Sequence, residues 1–349
     1  MKILFITDFS RPQTNGIAIR CSEYITYFKE KNHDVKVYAP KNSYSKTNTL
    51  PSIKNFFNKD NSICFPSFEL FYDIYKNKYD VIHLVYPPSI PGFFILLLSL
   101  FKPLKIVTSN HVNMNYYGKV YNIYFLYYLV KYFIYAPQYY LSNLILGPSE
   151  LEDFEILYNY KNKIIPTGID IDIFNFNNTK RENILLYVGR LAPEKNIDKL
   201  IKLFNNIKNI KNYKLQIIGF GPHENILKEL AKNNKNIEFL GKKLYYELPE
   251  YYQKARAHIT LSESETFCLT LLESISCGTP IIYADCKLFN NLYEKEFSEL
   301  CLKQDNDINK ILNYIEDNEN LLSDKCKKYR EDLSWSSATD KLIELYKQI

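Results

Sequence analysis

Ser262-Glu263-Ser264-Glu265-Thr266-Phe267-Cys268-Leu269-Thr270-Leu271-Leu272-Glu273-Ser274-Ile275-Ser276-Cys277-Gly278-Thr279-Pro280 carries the most informative pattern in the chain. It follows a short apolar run, His258-Ile259-Thr260-Leu261, that reads as a buried strand. A polar loop comes next, then a helical pattern with Leu269, Leu272 and Ile275 on one face. Gly278 and Pro280 stop that helix and launch a second apolar run, Ile281-Ile282-Tyr283-Ala284. A strand, polar loop, helix and strand in this order present the loop and the helix start at the carboxyl edge of a parallel sheet, where open α/β folds bind ligands. Glu265 and Glu273, with seven residues between them, lie there. Carboxylates at a strand exit accept hydrogen bonds from sugar and ribose hydroxyls. The backbone N–H groups around Phe267, Cys268 and Leu269, at the mouth of the helix, suit an anion such as a diphosphate. Outside this context two acids eight apart would read as solvated charge.

Upstream, Ile184-Leu185-Leu186-Tyr187-Val188 is another buried strand, followed by Gly189-Arg190-Leu191-Ala192-Pro193-Glu194-Lys195-Asn196. The next helix has Ile197, Leu200, Ile201, Phe204 and Ile207 on its apolar face, with Asn196 as its expected N-cap. Two cations on a glycine-bearing loop at a helix mouth suit a diphosphate, although exposed Arg and Lys commonly only solvate a surface. The strand Leu215-Gln216-Ile217-Ile218 leads to Gly219-Phe220-Gly221-Pro222, a weak glycine-rich nucleotide turn, and Ile237 to Lys242 is a further strand.

The amino-terminal half repeats the alternation. Lys2 to Thr7 is a strand, Asp8 to Gly16 a loop, and a helix follows with Ile17, Cys21, Tyr24, Ile25 and Phe28 as its apolar face. Gly16 reads either as a plain turn or as a close approach of backbone to phosphate. Residues 41–66 read as a polar loop, and the apolar run Phe93 to Phe101 as a core helix, being far short of the roughly 20 residues that cross a bilayer. Lys105 to Thr108 is a strand that delivers Ser109-Asn110-His111 to the sheet edge. There His111 is either structural or a hydrogen-bonding partner for a sugar hydroxyl. Residues 112–143 are rich in Tyr and Phe and interrupted by Lys131 and Pro137. They read as a core helix or, alternatively, as an interfacial patch making peripheral membrane contact. Leu144-Ile145-Leu146 closes the first sheet, and residues 164–170 read as the linker.

A chain of 349 residues suits two domains, and 46% hydrophobic with 24% charged residues describes a globular protein. The net charge of +5 is too small for a nucleic-acid footprint, so no nucleic-acid partner is expected. Seven scattered cysteines form no C-x-x-C pair, which implies neither a zinc site nor a disulfide framework. A reducing, cytoplasmic setting fits them, with or without a peripheral hold on a membrane. The apolar start reaches Asp8 at once and reads as a strand rather than a signal peptide.

The Glu265 and Glu273 pair resembles the E-x7-E signature of the retaining GT-B glycosyltransferases of family four. Ser-Glu-Ser-Glu-Thr-Phe, Leu-Leu-Glu and Cys-Gly-Thr-Pro match that family's motif in type and order. Gly189-Arg190 through Glu194-Lys195 is similar to its diphosphate-binding element, Gly219-Phe220-Gly221-Pro222 to its Gly-x-Gly-Pro, and strand-Ser-x-His111 to its amino-terminal histidine site. Three places depart from the pattern. Asn15-Gly16 stands for Gly-Gly, Thr167 for Asn, and Asp285-Cys286-Lys287 where a glycine pair and an acid are frequent. The resemblance covers nearly the whole chain, with sulfoquinovosyltransferases and lipid mannosyl- or glucosyltransferases as the nearest branches.

It implies an α/β protein of two Rossmann-like domains facing across a cleft: residues 1–165, residues 166–330, and a carboxyl-terminal helix, 331–349, packing back across the interface. The implied reaction moves a hexosyl group from a UDP- or GDP-sugar to a hydroxyl acceptor with retention, with no cofactor and no metal. Arg190 and Lys195 would hold the diphosphate, Glu273 the ribose, Glu265 the sugar, and His111 the sugar from the other wall. Gly16, Gly189, Gly219 and Gly221, with Phe267, Cys268 and Leu269, would surround the donor. The acceptor is a glycan, a lipid or a small molecule. Two other classes remain open on this fold: a non-catalytic nucleotide-sugar-binding subunit and a sugar-nucleotide epimerase.

Overall fold

The computed structural model describes the chain except residues 10–15, 41–47, 55–61, 87–89, 112–135, 148–161, 166, 178, 206–212, 264, 266–267 and 305–306. It divides into two compact units, one made of Met1–Gly168 with Trp335–Ile349 and the other of Ile169–Ser334.

The first unit is built on a parallel sheet. Its strands are β1 (Lys2–Ile6), β2 (Asp34–Pro40), β3 (Asn48–Leu50), β6 (Val81–Tyr86), β7 (Ile106–Asn110), β8 (Leu144–Gly147) and β9 (Asn162–Ile164), in the order β3-β2-β1-β6-β7-β8-β9. All neighbours pair in parallel. A small antiparallel pair, β4 (Ser52–Lys54) and β5 (Ser62–Cys64), lies outside it. Residues 41–66 are therefore not only loop: their Thr49, Ile53 and Ile63 neighbourhoods form three short strands. Nor does β8 end the sheet. Asn162–Ile164 adds an edge strand, so Ile164 belongs to the first unit's sheet rather than to a linker. Gly168 lacks the positive φ of a glycine turn; a Cβ there would meet the Trp335 backbone at 2.5 Å, and close approach is what selects glycine.

Helix α1 (Gly16–Glu30) buries Ala18, Arg20, Cys21, Tyr24 and Phe28. It packs with the carboxyl-terminal helix Trp335–Lys347, where Tyr346 stacks on Phe28 with ring centroids 5.7 Å apart. Helices α2 (Phe68–Lys76) and α3 (Ile90–Leu98) contribute Leu70, Ile74, Ile95 and Leu96 to one core cluster with strand residues Leu4, Ile6, Ile82 and Leu84. Ser67 caps α2 by accepting from the Leu70 N–H at 3.2 Å. The short helix α4 (Ala136–Leu141) precedes β8. Residues 112–135, most of the aromatic stretch 112–143, lie outside the described residues, so neither the core-helix nor the interfacial reading of them is tested.

The second unit has its own parallel sheet, with β10 (Ile184–Val188), β11 (Lys214–Ile218), β12 (Ile237–Gly241), β13 (Ala257–Thr260), β14 (Ile281–Ala284) and β15 (Cys301–Leu302) in the order β12-β11-β10-β13-β14-β15. Its helices are α5 (Ile197–Asn205), α6 (Glu224–Ala231), α7 (Leu248–Lys254), α8 (Leu269–Ser276), α9 (Lys287–Phe297), α10 (Ile308–Asp317) and α11 (Glu319–Arg330). One hydrophobic cluster joins α5, α8, α9 and α10 to the sheet. The order of strands reverses between β10 and β13, so these two neighbours send their outgoing loops to opposite sides. That divergence opens the crevice where α/β sheets place ligands.

Candidate functional site

In the second unit the residues following β10 and β13 meet at this reversal. Lys195 Nζ lies 2.6 Å from Glu265 Oε1, with side chains about one-fifth and one-seventh exposed (20% and 14%). Two further bonds stitch the same loops together. Asn196 Nδ2 donates to the Leu261 carbonyl at 2.9 Å, and Ser262 Oγ donates to the Glu194 carbonyl at 3.3 Å. Asn196 is thus not a helix N-cap of the ordinary kind. It closes the 3-10 turn Pro193–Lys195 in the left-handed region, at φ 52, and spends its amide on the neighbouring strand exit. Arg190 is ion-paired with Glu194, whose carboxylate is 2% exposed. Burial alone would raise the Glu194 carboxyl, but the Arg190 charge, backbone donors and Lys195 hold it below the ordinary carboxylate range. Both cations of the loop therefore have carboxylate partners already in place.

Glycines let the loops after β10 and β11 lie against one another. A Cβ on Gly219 would fall 1.8 Å from the Gly189 carbonyl oxygen, and one on Gly221 would fall 2.3 Å from that of Leu191. Gly219 also sits at φ +145. Backbone bonds from Gly189 N–H to Ile218 O and from Leu191 N–H to Phe220 O, both 3.0 Å, complete this contact. Gly219 and Gly221 thereby position the Arg190 loop from behind, whatever else they touch. Phe220, between them, is 44% exposed, with Lys242 Nζ 5.0 Å from its ring centroid.

The helix α8 differs from its expected form. Leu271, Leu272, Glu273, Ser274, Ile275 and Ser276 are all buried while Leu269 is only half-buried, so the helix is enclosed rather than one-faced. Cys268 precedes it at φ 47, ψ 68, buried, and burial pushes its thiol up. Glu273 is 5% exposed and accepts from the Tyr252 hydroxyl at 2.8 Å. Burial raises its carboxyl to about 7, against the lowering effect of that hydrogen bond. Phe267 lies outside the described residues.

In the first unit, His111 follows β7 and is buried. Its Nδ1 is 2.9 Å from Arg20 Nη1 and its Nε2 is 3.0 Å from Ser109 Oγ. Ser109 Oγ is in turn 2.7 Å from His83 Nε2, and His83 Nδ1 meets the Tyr346 hydroxyl. A guanidinium only donates, so His111 accepts at Nδ1, carries its proton on Nε2 and is neutral. Burial, then the charges of Arg20 and His83, hold its pKa well below the usual range. Both ring nitrogens are engaged inside the unit. Arg20 also donates to Thr167 Oγ1 at 2.9 Å. Gly16 is exposed at the first position of α1.

The sequence reading included Glu194 only as part of the 189–195 string and not as the partner of Arg190, and it missed Tyr252, Arg20, His83 and Tyr346. Glu194 had a signal, standing four residues after Arg190. Arg20 had none beyond a cation falling on the apolar side of a helical pattern. Among the described residues no group of three His, Cys, Asp or Glu side chains is placed to hold a metal ion.

Comparison with known proteins follows the two units. The model of the group 1 glycosyl transferases matches residues 169–333, and that of glycosyltransferase family 4 matches residues 14–173. The chain is 29% identical over 337 residues to alpha-monoglucosyldiacylglycerol synthase of Streptococcus pneumoniae, covering 86% of this chain and 75% of that protein. By structure it is similar to sucrose-phosphate synthase of Thermosynechococcus elongatus, with TM-score 0.75 and 17% identity over 100% of this chain and 98% of that one. It is also similar to Anabaena HepE in complex with UDP and glucose, with TM-score 0.75 and 14% identity over 100% of both chains. Two parallel-sheet units, matched in turn by the two family models, assign this chain to the group 1 glycosyltransferases of family four, with the GT-B fold.

Proposed function

We propose that the protein transfers a hexosyl group from a nucleoside-diphosphate sugar to a hydroxyl acceptor, with retention at the anomeric carbon and without a metal ion. The observation that carries this reading is the Lys195–Glu265 ion pair spanning the exits of β10 and β13, with Arg190 on the same loop. An incoming diphosphate competes with Glu265 for the ammonium group. As the anion takes Lys195, the carboxylate becomes available to accept from the hydroxyls of the donor sugar. Arg190 and Lys195 then stabilise the negative charge that develops on the leaving oxygen, which is where a metal acts in other transferases. Glu273 accepts from the ribose in place of the Tyr252 hydroxyl. His111, neutral with Nε2–H as its donor, contributes to the sugar only by leaving Ser109.

The activities and ligands named for similar proteins support the first substrates to try. The Streptococcus pneumoniae relative is a glucosyldiacylglycerol synthase and the Anabaena structure holds UDP and glucose, so UDP-glucose and a glycerolipid hydroxyl are the donor and acceptor of choice. Melting curves with UDP, GDP and ADP test the donor half, because a bound nucleotide raises stability by mass action. Arg190→Ala or Lys195→Ala is expected to slow transfer more than about tenfold, over about 1.4 kcal/mol in barrier. Wild-type activity is expected to persist in EDTA; full loss restored by manganese would sink the metal-free mechanism. The anomeric configuration of the first product, read by NMR, tests retention.

A further inference from the structure

Helices α2 and α3 cover one face of the first unit's sheet, since Leu70, Ile74, Ile95 and Leu96 meet in a single core cluster. Their outward faces should then be polar, and they are not. On α2 the solvent side is Phe68, Tyr72 and Tyr75, spaced i, i+4, i+7 and exposed by 84%, 54% and 79%. On α3 and the turn after it, Phe94, Leu97 and Phe101 form a second outward row, with Phe101 88% exposed. The run Phe93 to Phe101 does supply a core helix through Ile95 and Leu96, and α3 is apolar on its outer side as well, where Phe94 and Leu97 are exposed. The two rows are tied together by Lys102, whose Nζ donates to the Ile74 and Tyr75 carbonyls at 2.7 and 3.0 Å and stands 5.4 Å from the Tyr75 ring centroid.

We propose that this face, the outer sides of α2 and α3 with their lysine rim, seats the protein on an anionic lipid bilayer. Two features favour lipid over a protein partner. Helix α3 reads Ile90-Pro91-Gly92-Phe93-Phe94-Ile95-Leu96-Leu97-Leu98 and has no polar side chain. A protein interface needs about one hydrogen bond per 100–200 Å², which this row does not supply, whereas the acyl boundary of a membrane asks for none. The rim is cationic and amphipathic: Lys76 and Lys78 are exposed at the end of α2, and Lys76 Nζ lies 5.8 Å from the Tyr72 ring. Of the acids nearby, Asp73 is paired with Lys36 at 2.9 Å, and Glu69, which accepts from the Asn48 amide, is outnumbered by Lys76 and Lys78. Lysines beside aromatic rings match an anionic headgroup layer.

The proposal deepens the acceptor half of the transferase reading and rests on it only for the purpose of docking, so lipid binding and UDP binding are measured separately. Wild-type protein is mixed with vesicles of phosphatidylcholine containing phosphatidylglycerol, and with vesicles of phosphatidylcholine alone, then sedimented at low and high salt. The expected result is binding to the anionic vesicles that weakens with salt. The double variant Phe68→Ser, Phe101→Ser should lower the partition about tenfold or more, and Lys76→Glu with Lys78→Glu should lower it on anionic vesicles only. All variants should keep the UDP-induced rise in melting temperature, which reports that the chain is folded. Equal vesicle binding by wild type and the serine variant would overturn the proposal, as would no binding at low salt. A concentration-dependent dimer in lipid-free solution that the serine variant abolishes would overturn it too, and would give the face to a second copy of the chain.

Discussion

The two units hold their clustered ionisable groups in opposite states. In the first, His83 and His111 are buried and neutral, linked through Ser109, and end on Tyr346 of the carboxyl-terminal helix and on Arg20 of α1. In the second, the groups are charged and cross-paired, Arg190 with Glu194 and Lys195 with Glu265. A neutral buried network fixes geometry and resists protonation. A paired and partly exposed network stores cations that an anion can claim by exchange. Under the proposed function, the first unit would orient uncharged hydroxyls and the second would handle the diphosphate.

The largest expected effect breaks the glycine half of this comparison. Gly219→Ala forces a Cβ to 1.8 Å from a carbonyl oxygen at φ +145, and should destabilise the second unit by about 4 kcal/mol, read by urea unfolding. Gly16→Ala, at an exposed helix start, should change stability by no more than about 0.5 kcal/mol. Similar losses for both would mean that the loop contact is not what glycine secures in the second unit.

The next effect is one of pH, and its sign differs between the buried carboxyl of Glu273 and the buried histidines. The carboxyl of Glu273 is raised to about 7, so its contribution to stability is fullest below its unfolded value and is lost as pH rises toward 7. His83 is lowered to about 3 by burial, so its contribution is fullest above its unfolded value and is lost as pH falls from there toward 3. His258, buried on β13 and also lowered to about 3, acts in the same direction as His83. Relative to wild type, Glu273→Gln should gain roughly 2 kcal/mol between acid and neutral pH. His83→Asn should lose less than wild type on acidification. Parallel stability curves for wild type and Glu273→Gln would show that this carboxyl does not titrate in that window.

A smaller effect sharpens the exchange idea. If Lys195 is held by Glu265 before the donor arrives, apparent diphosphate affinity is reduced by the fraction of time the ammonium is engaged. Glu265→Gln should then bind UDP about three- to tenfold more tightly in calorimetry while discriminating poorly between donor sugars. Weaker UDP binding in that variant would make Glu265 part of a nucleotide clamp instead. Smallest of all, Lys199→Ala removes an exposed pair with Glu263, 3.2 Å apart, and should shift stability by less than about 0.5 kcal/mol with UDP binding unchanged.

The sequence by itself determined the alternation of strand and helix in both halves, because buried strands and amphipathic helices write their period into neighbouring residues. It also placed the second unit's candidate site residues at one sheet edge: Gly189 through Lys195 and Glu265 through Glu273 each follow an apolar strand, and a parallel sheet sends all such exits to one edge. Only the tertiary structure decided which groups pair. Lys195 and Glu265 are 70 positions apart, and Arg20 and His111 are 91 apart. Their meeting depends on which strands are neighbours, which no local pattern encodes. The tertiary structure likewise decided that α8 is enclosed although it carries Thr270, Glu273, Ser274 and Ser276, whereas the wholly apolar α3 leaves Phe94 and Leu97 exposed. An apolar run states that burial is favourable; whether anything in the fold covers it is fixed by the packing of elements distant in the chain.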